Sequence, residues 1–340
     1  MHPFEYQQAE SADAAMLALP AAHTPRGAKL IGGGTNLIDL MKDGVEQPSK
    51  LIDITHLDLT GITKTPDGGV QVGALVRNSD LANHPLIRSR YPLLSQALLS
   101  GASPQLRNMA TTGGNLMQRT RCYYFMDTAF PACNKRSPGS GCAAVQGINR
   151  IHAVLGVDAH ANDKAICIAT HPSDMCVALA ALKATVQVTG PQGKRTIAVR
   201  DLHRLPGKTP ELDTNLAPNE LITSIELPPS NAADHSHYTK VRDRQSYAFA
   251  LVSVAAALEM DGQTIRSAQL ALGGVAHKPW TSSEAENALA GATAGPDAFQ
   301  HAAELLMAGA KGYEHNSFKI ELAKQSIVRT LTLASRGGAA

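Results

Sequence analysis

Two glycine-rich segments constrain this chain more than any other feature of its sequence. Residues 32–36 read Gly-Gly-Gly-Thr-Asn, and residues 111–115 read Thr-Thr-Gly-Gly-Asn. Each follows an apolar stretch, and the backbone N–H groups of a glycine turn can approach a phosphate where a side chain would block it. The first segment also precedes a predicted helix at residues 37–42, whose N-terminus favours an anion. The sequence therefore predicts two anion-binding loops.

Length and charge set the class of protein. The 340 residues are enough for two or three compact units. Lys and Arg number 31 against 29 Asp and Glu, without a run of like charge, so the composition indicates neither a nucleic-acid partner nor an anionic membrane surface. No segment approaches the roughly 18 apolar residues of a membrane span, and the first residues do not resemble an export signal. We expect no membrane span and no signal on this chain.

Hydrophobic periodicity predicts a mixture of strands and helices. Before residue 120 the predicted strands are 28–31, 51–54 and 70–72, and the predicted helices are 11–19 and 86–99. After residue 167 the predicted strands are 185–188, 248–260 and 265–272, and the predicted helices are 175–182, 282–289, 298–308 and 317–334. A change of pattern near residue 230 predicts a domain boundary there.

The segment from 119 to 167 differs from its surroundings. It contains few aliphatic runs, and four of the five cysteines lie within it: Cys122, Cys133, Cys142 and Cys167. A long, weakly periodic segment inside a compact domain is usually functional or held together by something other than an apolar core. Basic residues flank Cys122 and Cys133, and positive charge stabilises thiolates and thiolate-ligated clusters.

Cysteine spacing alone leaves two alternatives open. The intervals lack the C-x2-C pattern of most zinc sites, so the four cysteines are either ligands, sufficient in number for a [4Fe–4S] cluster, or small buried residues without a ligand. Cys176 lies in an apolar helical run, and we expect it to pack in the core. His152, His171, His203 and His277 lie in predicted loops, and we assign none of them a catalytic role.

Together these segments resemble the FAD-binding subunit of the molybdenum hydroxylases, the xanthine dehydrogenase and carbon monoxide dehydrogenase family. Further stretches are similar to the subunit that carries FAD and a [4Fe–4S] cluster in bacterial three-subunit aldehyde oxidoreductases. The family resemblance rests on residues 31–37, 72–74, 110–116 and 218–222, and the subgroup resemblance on residues 119–122, 138–144, 169–174, 240–244 and 273–280.

The resemblance implies an α+β fold. An FAD-binding module of the vanillyl-alcohol oxidase type, made of two subdomains, would occupy residues 1–229, with the cluster-binding insertion at about 119–167. A CO-dehydrogenase-flavoprotein-like domain of one sheet and helices would occupy residues 230–340. Neither glycine loop has the G-x-G-x-x-G spacing of a doubly wound dinucleotide fold, in agreement with this expectation.

Carried over position by position, the resemblance implies two sets of site residues. The iron ligands would be Cys122, Cys133, Cys142 and Cys167. The FAD-binding residues would be Gly32, Gly33, Gly34, Thr35, Asn36, Leu37, Thr111, Thr112, Gly113, Gly114, Asn115, Asp127, Ile222 and Lys240. Three extra residues precede Asp127 relative to the family pattern, and Lys240 is equally well explained as a solvated lysine at a strand end.

The function implied is electron transfer within a molybdenum-dependent aldehyde oxidoreductase complex. Substrate would be oxidised on a large molybdenum-cofactor subunit, and electrons would pass through a small [2Fe–2S] subunit to FAD and an external acceptor. Such a complex is cytoplasmic, or periplasmic when it is exported folded with a partner that carries the signal. Two alternatives remain: a self-sufficient FAD oxidoreductase acting on a small substrate, and a non-redox scaffold whose cysteines bind zinc.

Overall fold

A computed structural model describes residues 1–24, 26–157 and 165–338, and it confirms the predicted α+β class. The strands are β1 (Glu5–Gln8), β2 (Lys29–Ile31), β3 (Lys50–Asp53), β4 (Ile62–Lys64), β5 (Val70–Gly73), β6 (Thr185–Gly190), β7 (Gly193–Ala198), β8 (Leu221–Leu227), β9 (Ser236–Val241), β10 (Val252–Asp261) and β11 (Thr264–Gly273). The helices are α1 (Ala12–Leu17), α2 (Leu37–Lys42), α3 (Asn78–Asn83), α4 (Pro85–Arg90), α5 (Pro92–Ser100), α6 (Pro104–Met109), α7 (Thr112–Leu116), α8 (Tyr123–Met126), α9 (Asp174–Ala181), α10 (Val199–Leu202), α11 (Ser283–Leu289), α12 (Pro296–Leu306) and α13 (Phe318–Arg336).

The first glycine loop leaves the end of a small parallel sheet. This sheet has the strand order β1-β3-β2, and β2 ends at Ile31, directly before the loop. Side chains of β3 and α1 supply the apolar core beneath it, including Ile52 and Ala15. The chain then turns into α2, so the loop lies between the end of a partly buried strand and the start of a helix.

The second glycine loop packs against a larger antiparallel sheet with the order β4-β5-β8-β6-β7. After α6 the chain forms a short extended segment and then α7. Thr111 caps the N-terminus of α7, because its side-chain oxygen accepts a hydrogen bond from Gly114 N–H at 3.1 Å. Helix α9, all eight residues of which are buried, packs against α5, β10 and β11. As predicted, this helix starts at a serine cap, because Ser173 Oγ accepts from Cys176 N–H at 3.0 Å.

The helix predicted at residues 86–99 forms as two helices, α4 and α5. Pro92 cannot donate a backbone hydrogen bond and disfavours the helical conformation at the residue before it. Tyr91 accordingly has φ −135° and ψ 54°, outside the helical region. Its ring is buried, and its hydroxyl donates to the carbonyl of Pro228 at 2.8 Å. The break therefore places an aromatic side chain in the core between the two helices.

The C-terminal sheet has the order β11-β10-β9 and is covered by α11, α12 and α13. Its central strand β10 is buried on both faces. Ala255 and Ala257 pack in the same apolar cluster as α9, whereas Val254, Ala256 and Leu258 pack in the cluster that contains α13. The division that we propose at residues 229–230 lies in the connection between β8 and β9.

The cysteine-containing segment consists mostly of turns around α8, and its residues 158–164 lie outside the described part of the chain. A buried lysine on α13 holds it to the C-terminal domain. Lys319 Nζ donates to the carbonyl of His152 at 2.8 Å and to that of Gly274. Burial, reinforced by the nearby charge of Arg150, lowers the pKa of Lys319 to about 7. None of the described helices has the length and apolar character needed to cross a membrane.

Lys319→Met should remove a pH dependence of stability. An unfolded lysine titrates near its ordinary pKa of 10.5, whereas folded Lys319 titrates near 7, so the unfolded state binds more protons between these values. The free energy of unfolding of the unmodified protein should therefore gain up to about 1.4 kcal/mol per pH unit relative to the variant as pH rises from 7. Urea unfolding at two pH values measures this gain. Lys324→Met, at a partly exposed position on α13, is the control, and equal pH dependence in both variants would contradict the assignment.

Candidate cofactor site

A cavity of about 670 Å³ lies where the two glycine loops meet, and its volume is within the range of small-molecule and cofactor sites. Eleven of the fourteen predicted FAD-binding residues line it: Gly32, Gly33, Gly34, Thr35, Asn36, Leu37, Thr111, Gly113, Gly114, Asn115 and Ile222. The structure thus brings together two segments that are far apart in the sequence. The loop from residues 244 to 249 closes part of the opposite wall.

The first loop has unused hydrogen-bond donors. Within the described part of the chain, the backbone N–H groups of Gly33, Gly34 and Thr35 donate to no protein acceptor. Asn36 contributes a further donor. Its Oδ1 accepts from Arg119 N–H at 2.8 Å, which fixes the amide, while its buried Nδ2 has no partner among the described residues. Buried donors without partners are costly, so this loop is suited to an anionic group such as a pyrophosphate.

The second loop contributes differently from the prediction. Most of its N–H groups are already engaged: Thr112 donates to the Val76 carbonyl, Gly113 to the Ala74 carbonyl and Gly114 to Thr111 Oγ1. Thr112 itself is fully buried and does not belong to the cavity lining among the described residues. This loop therefore forms a rigid wall of the cavity rather than a second set of free donors.

Close contact between the two loop segments, rather than contact with a phosphate, accounts for glycine at the positions of the first loop. A Cβ at Gly33 would lie 1.9 Å from the carbonyl oxygen of Met109, and one at Gly32 would lie 3.0 Å from Thr111 Oγ1. Gly34 has φ +72°, a conformation that side chains disfavour. The glycines of the first loop are thus required by its packing on the segment before the second loop and by its backbone turn.

Two predicted cofactor residues lie away from the cavity. Asp127 is exposed, and its carboxylate accepts from Ala129 N–H at 2.9 Å in a local turn. Lys240 is buried and forms an ion pair with Asp174 at 2.7 Å, and it also donates to the Ser100 carbonyl at 3.1 Å. The expectation of a solvated lysine is therefore wrong, since the buried ammonium group ties β9 to α9, whereas the assignment of Lys240 as a flavin contact stays a prediction. Neither residue is among the described residues of the cavity wall.

Aromatic and basic side chains on the far wall were not predicted to be site residues. The Arg121 guanidinium lies 5.2 Å from the ring centre of Phe249, and that of Arg244 lies 5.7 Å from the ring centre of Tyr247. Burial lowers the pKa of Arg121. Tyr247 has φ +51° and is exposed. Arg121 and Arg244 lie in segments 119–122 and 240–244, which resemble the aldehyde oxidoreductase subgroup. That resemblance did not indicate that these residues lie at the cavity.

Arg119, another cavity residue, joins three parts of the chain. It donates to Glu46 Oε1 at 2.6 Å and to Asp213 Oδ2 at 2.7 Å, and Asp213 also accepts from Lys135 Nζ at 2.6 Å. These cations hold the pKa of Asp213 well below its ordinary 3.8 despite the opposing effect of burial. The stabilisation is present at neutral pH and is lost only as pH falls below about 3.8.

The four cysteines of the 119–167 segment come together in one buried cluster, which also contains Phe125 and Ile168. All four thiols are free of disulfides. Burial, followed by smaller effects that include repulsion from the neighbouring cysteines, raises the pKa of Cys122 to about 12 and that of Cys167 to about 11. Cys133 and Cys142 face each other across an antiparallel bridge. The structure therefore brings the four cysteines into one cluster, with Cys142 partly buried against the other three, and their role as iron ligands stays a prediction.

The charged surroundings of the cysteines differ from the expectation. Arg136 donates to backbone carbonyls, including those of Tyr124 and Phe125, and Arg119 is engaged with carboxylates, so neither is available to a thiolate. Lys135 is the cation that favours the thiolate of Cys167. His152 was not expected here, but its Nε2 lies 3.0 Å from Cys122 Sγ. A histidine in this segment gave no sequence signal that distinguished it from a structural residue.

Comparisons with known proteins agree with this arrangement. Residues 2–230 match the family described as the FAD binding domain in molybdopterin dehydrogenase, and residues 236–334 match the CO dehydrogenase flavoprotein C-terminal domain. The fold is also that of reconstituted CO dehydrogenase from Oligotropha carboxidovorans, with a TM-score of 0.76 over 99% of this chain and 100% of the other at 23% identity.

Similarity in sequence extends over nearly the whole chain. It is 51% identical over 335 residues to the aldehyde oxidoreductase FAD-binding subunit PaoB of Escherichia coli (strain K12), covering 98% of this chain and 99% of that protein. It is 30% identical over 293 residues to the glyceraldehyde dehydrogenase medium chain of Sulfolobus acidocaldarius, covering 86% and 83% of the two chains. This chain therefore belongs to the family of FAD-binding subunits of molybdopterin dehydrogenases.

Proposed function

We propose that this chain is the FAD-containing electron-transfer subunit of a molybdenum-dependent aldehyde oxidoreductase complex. The observation that carries the proposal is the cavity between the two loops, where unpartnered donors of the first loop face a space of cofactor size. The specific activity is supported by the extended similarity to an aldehyde oxidoreductase subunit. The partners are then a large molybdenum-cofactor subunit and a small [2Fe–2S] subunit, as the family resemblance implies.

Residues of this chain hold the cofactor and control access to it. Bound FAD would supply the redox chemistry, accepting electrons from the partner subunits and releasing them to an external acceptor. Gly33, Gly34 and Thr35 present their N–H groups to the pyrophosphate, and Asn36 adds its side-chain donor. On the far wall, the stacked pair of Arg244 and Tyr247 lies at the surface. No acid or base of this chain is required, because substrate is oxidised on another subunit.

We further propose that Cys122, Cys133, Cys142 and Cys167 bind a [4Fe–4S] cluster. Supporting this are the four free thiols in one buried pocket and the thiolate ligands that such clusters require. A single tetrahedral zinc ion would need sulfur atoms about 3.8 Å apart, from a Zn–S distance of about 2.3 Å. The described cysteines include no three whose ligand atoms lie within 4.8 Å of one another, so their arrangement does not match a single tetrahedral zinc ion.

Asn36→Asp tests the pyrophosphate contact. The substitution keeps Oδ1 as the acceptor for Arg119 N–H but replaces the unpartnered donor with a negative oxygen that repels phosphate. We expect FAD affinity to fall at least about tenfold, the effect of roughly 1.4 kcal/mol, without loss of folding. Titration of flavin-free protein with FAD, followed by flavin fluorescence, measures the affinity. Asn231→Asp adds the same charge at an exposed position and is the control. Equal affinity in both variants would disprove the contact.

Cysteine substitutions test the cluster separately from the flavin. Cys142→Ser should lose iron and the broad visible absorption of an iron–sulfur cluster, because a hydroxyl is a much poorer ligand than a thiolate. The flavin bands should remain, since Cys142 is outside the cavity lining among the described residues. Iron analysis and absorption spectra of anaerobically purified protein provide the measurement. Cys176→Ser is the matched control, and retention of iron in the Cys142 variant, or its loss in the Cys176 variant, would refute the ligand set.

A further inference from the structure

A second group of potential ligands lies apart from the four cysteines already described. It consists of His171, Cys176 and His203, and one donor atom from each residue lies within 4.8 Å of the other two. His171 precedes α9, Cys176 is in the first turn of α9, and His203 follows α10. The two imidazole ring centres are 4.0 Å apart. Three separate positions of the chain thus present two imidazoles and a thiol to one point in the interior.

Both imidazoles have a buried ring nitrogen without a hydrogen-bond partner among the described residues. His203 Nε2 lies 2.8 Å from the Leu116 carbonyl, which can only accept, so this nitrogen carries the proton and Nδ1 has the free lone pair. His203 Nδ1 and His171 Nε2 are both buried and have no hydrogen-bond partner among the described residues. A histidine that donates one ring N–H to a backbone carbonyl and leaves the other nitrogen unpaired has the arrangement common to metal ligands.

Burial keeps both imidazoles of the group neutral and the Cys176 thiol protonated. Burial, together with their mutual repulsion for His171, lowers the pKa of both histidines, so the imidazoles are neutral. Burial raises the pKa of the Cys176 thiol to about 12. A bound metal ion displaces a thiol proton even when the free thiol is a weak acid. Cys176 is therefore a potential ligand rather than the purely packing residue that the sequence predicts.

We propose that His171, Cys176 and His203 bind one thiophilic d¹⁰ cation, with Zn²⁺ or Cu⁺ as the candidate ions. Thiolate and imidazole are ligands that both ions accept. With Zn–N distances of about 2.0 Å and a Zn–S distance of about 2.3 Å, tetrahedral geometry places two nitrogens about 3.3 Å apart and a nitrogen and the sulfur about 3.5 Å apart. The three ligand atoms, which lie within 4.8 Å of one another, reach these separations through small adjustments of their side chains. The ion would link α9 to His203 after α10, and His203 in turn contacts the Leu116 carbonyl at the C-terminus of α7. It would thereby stabilise the helix that contains the second glycine loop.

A buried water molecule is the competing occupant. Water could donate to both unpaired imidazole nitrogens, but it has no need of a sulfur ligand. Substitution of the cysteine therefore separates the two explanations. Cys176→Ala should abolish tight metal binding if a cation occupies the site, whereas it should leave metal content unchanged if only water is present.

The experiment measures zinc, copper and iron in the purified full-length chain, produced with each metal supplied in turn. We expect about one equivalent of zinc or copper per chain in the unmodified protein, and its loss in Cys176→Ala and His203→Gln with iron and flavin unchanged. Cobalt serves as a spectroscopic probe, because Co²⁺ bound to Cys176 adds a thiolate-to-metal absorption band that the alanine variant lacks. His277→Gln is the matched control, since His277 is also buried with unpartnered nitrogens but is not part of the group.

Two results would overturn the proposal: no zinc or copper beyond trace in the unmodified protein, or equal amounts in the unmodified protein and in Cys176→Ala. Thermal unfolding of each variant confirms that the comparison is between folded proteins. Because Cys176→Ala and His203→Gln change different ligands, the test still holds if one of the two variants does not fold. The absence of iron in every sample would contradict the [4Fe–4S] cluster proposed above, but it would leave the difference in zinc or copper between these variants intact.

Discussion

The paired charges around Arg119 are the constraint on which the arrangement of both sites depends. Its guanidinium forms ion pairs with Glu46, which lies between α2 and β3, and with Asp213, which lies between α10 and β8. Asp213 also pairs with Lys135 of the cysteine-containing segment. Its own N–H orients Asn36 in the cavity. A charge removed from water in this way must be fully paired, and removal of one partner is costly. The same few contacts therefore connect the cavity between the glycine loops with the cysteine-containing segment.

The two glycine loops look alike in sequence but have different physical roles. In the first loop, Gly33 and Gly34 are fixed by close packing and by a left-handed turn, and this leaves their N–H groups free for a ligand. In the second loop, a local helix and the neighbouring strand consume the donors, as with Gly113 and the Ala74 carbonyl. A pattern of glycines predicts that backbone can approach closely. It does not predict whether the approaching group is a phosphate or another part of the chain.

Local features of the fold were predictable, and long-range contacts were not. Periodicity and capping located the strands around the first loop and the helix that begins at Ser173, because these depend on neighbours in sequence. The break at Tyr91 was missed although Pro92 signalled it. Lys240 pairs with Asp174, and Cys122 meets His152, through tertiary contacts that no spacing reveals. The first loop was located because its glycines form one short motif, whereas the four cysteines are spread over a long segment without a recognised spacing, and their role as ligands stays a prediction.

The alanine-rich strand β10 has a mechanical consequence. Because Ala255 and Ala257 complete the core of the flavin module while Ala256 and Leu258 complete the core beneath α13, one strand serves two interiors at once. A hinge between the two family-defined domains would have to pull this strand out of one of them and expose apolar surface to water. The two matched domains are thus joined through a shared core, which disfavours a hinge motion between them.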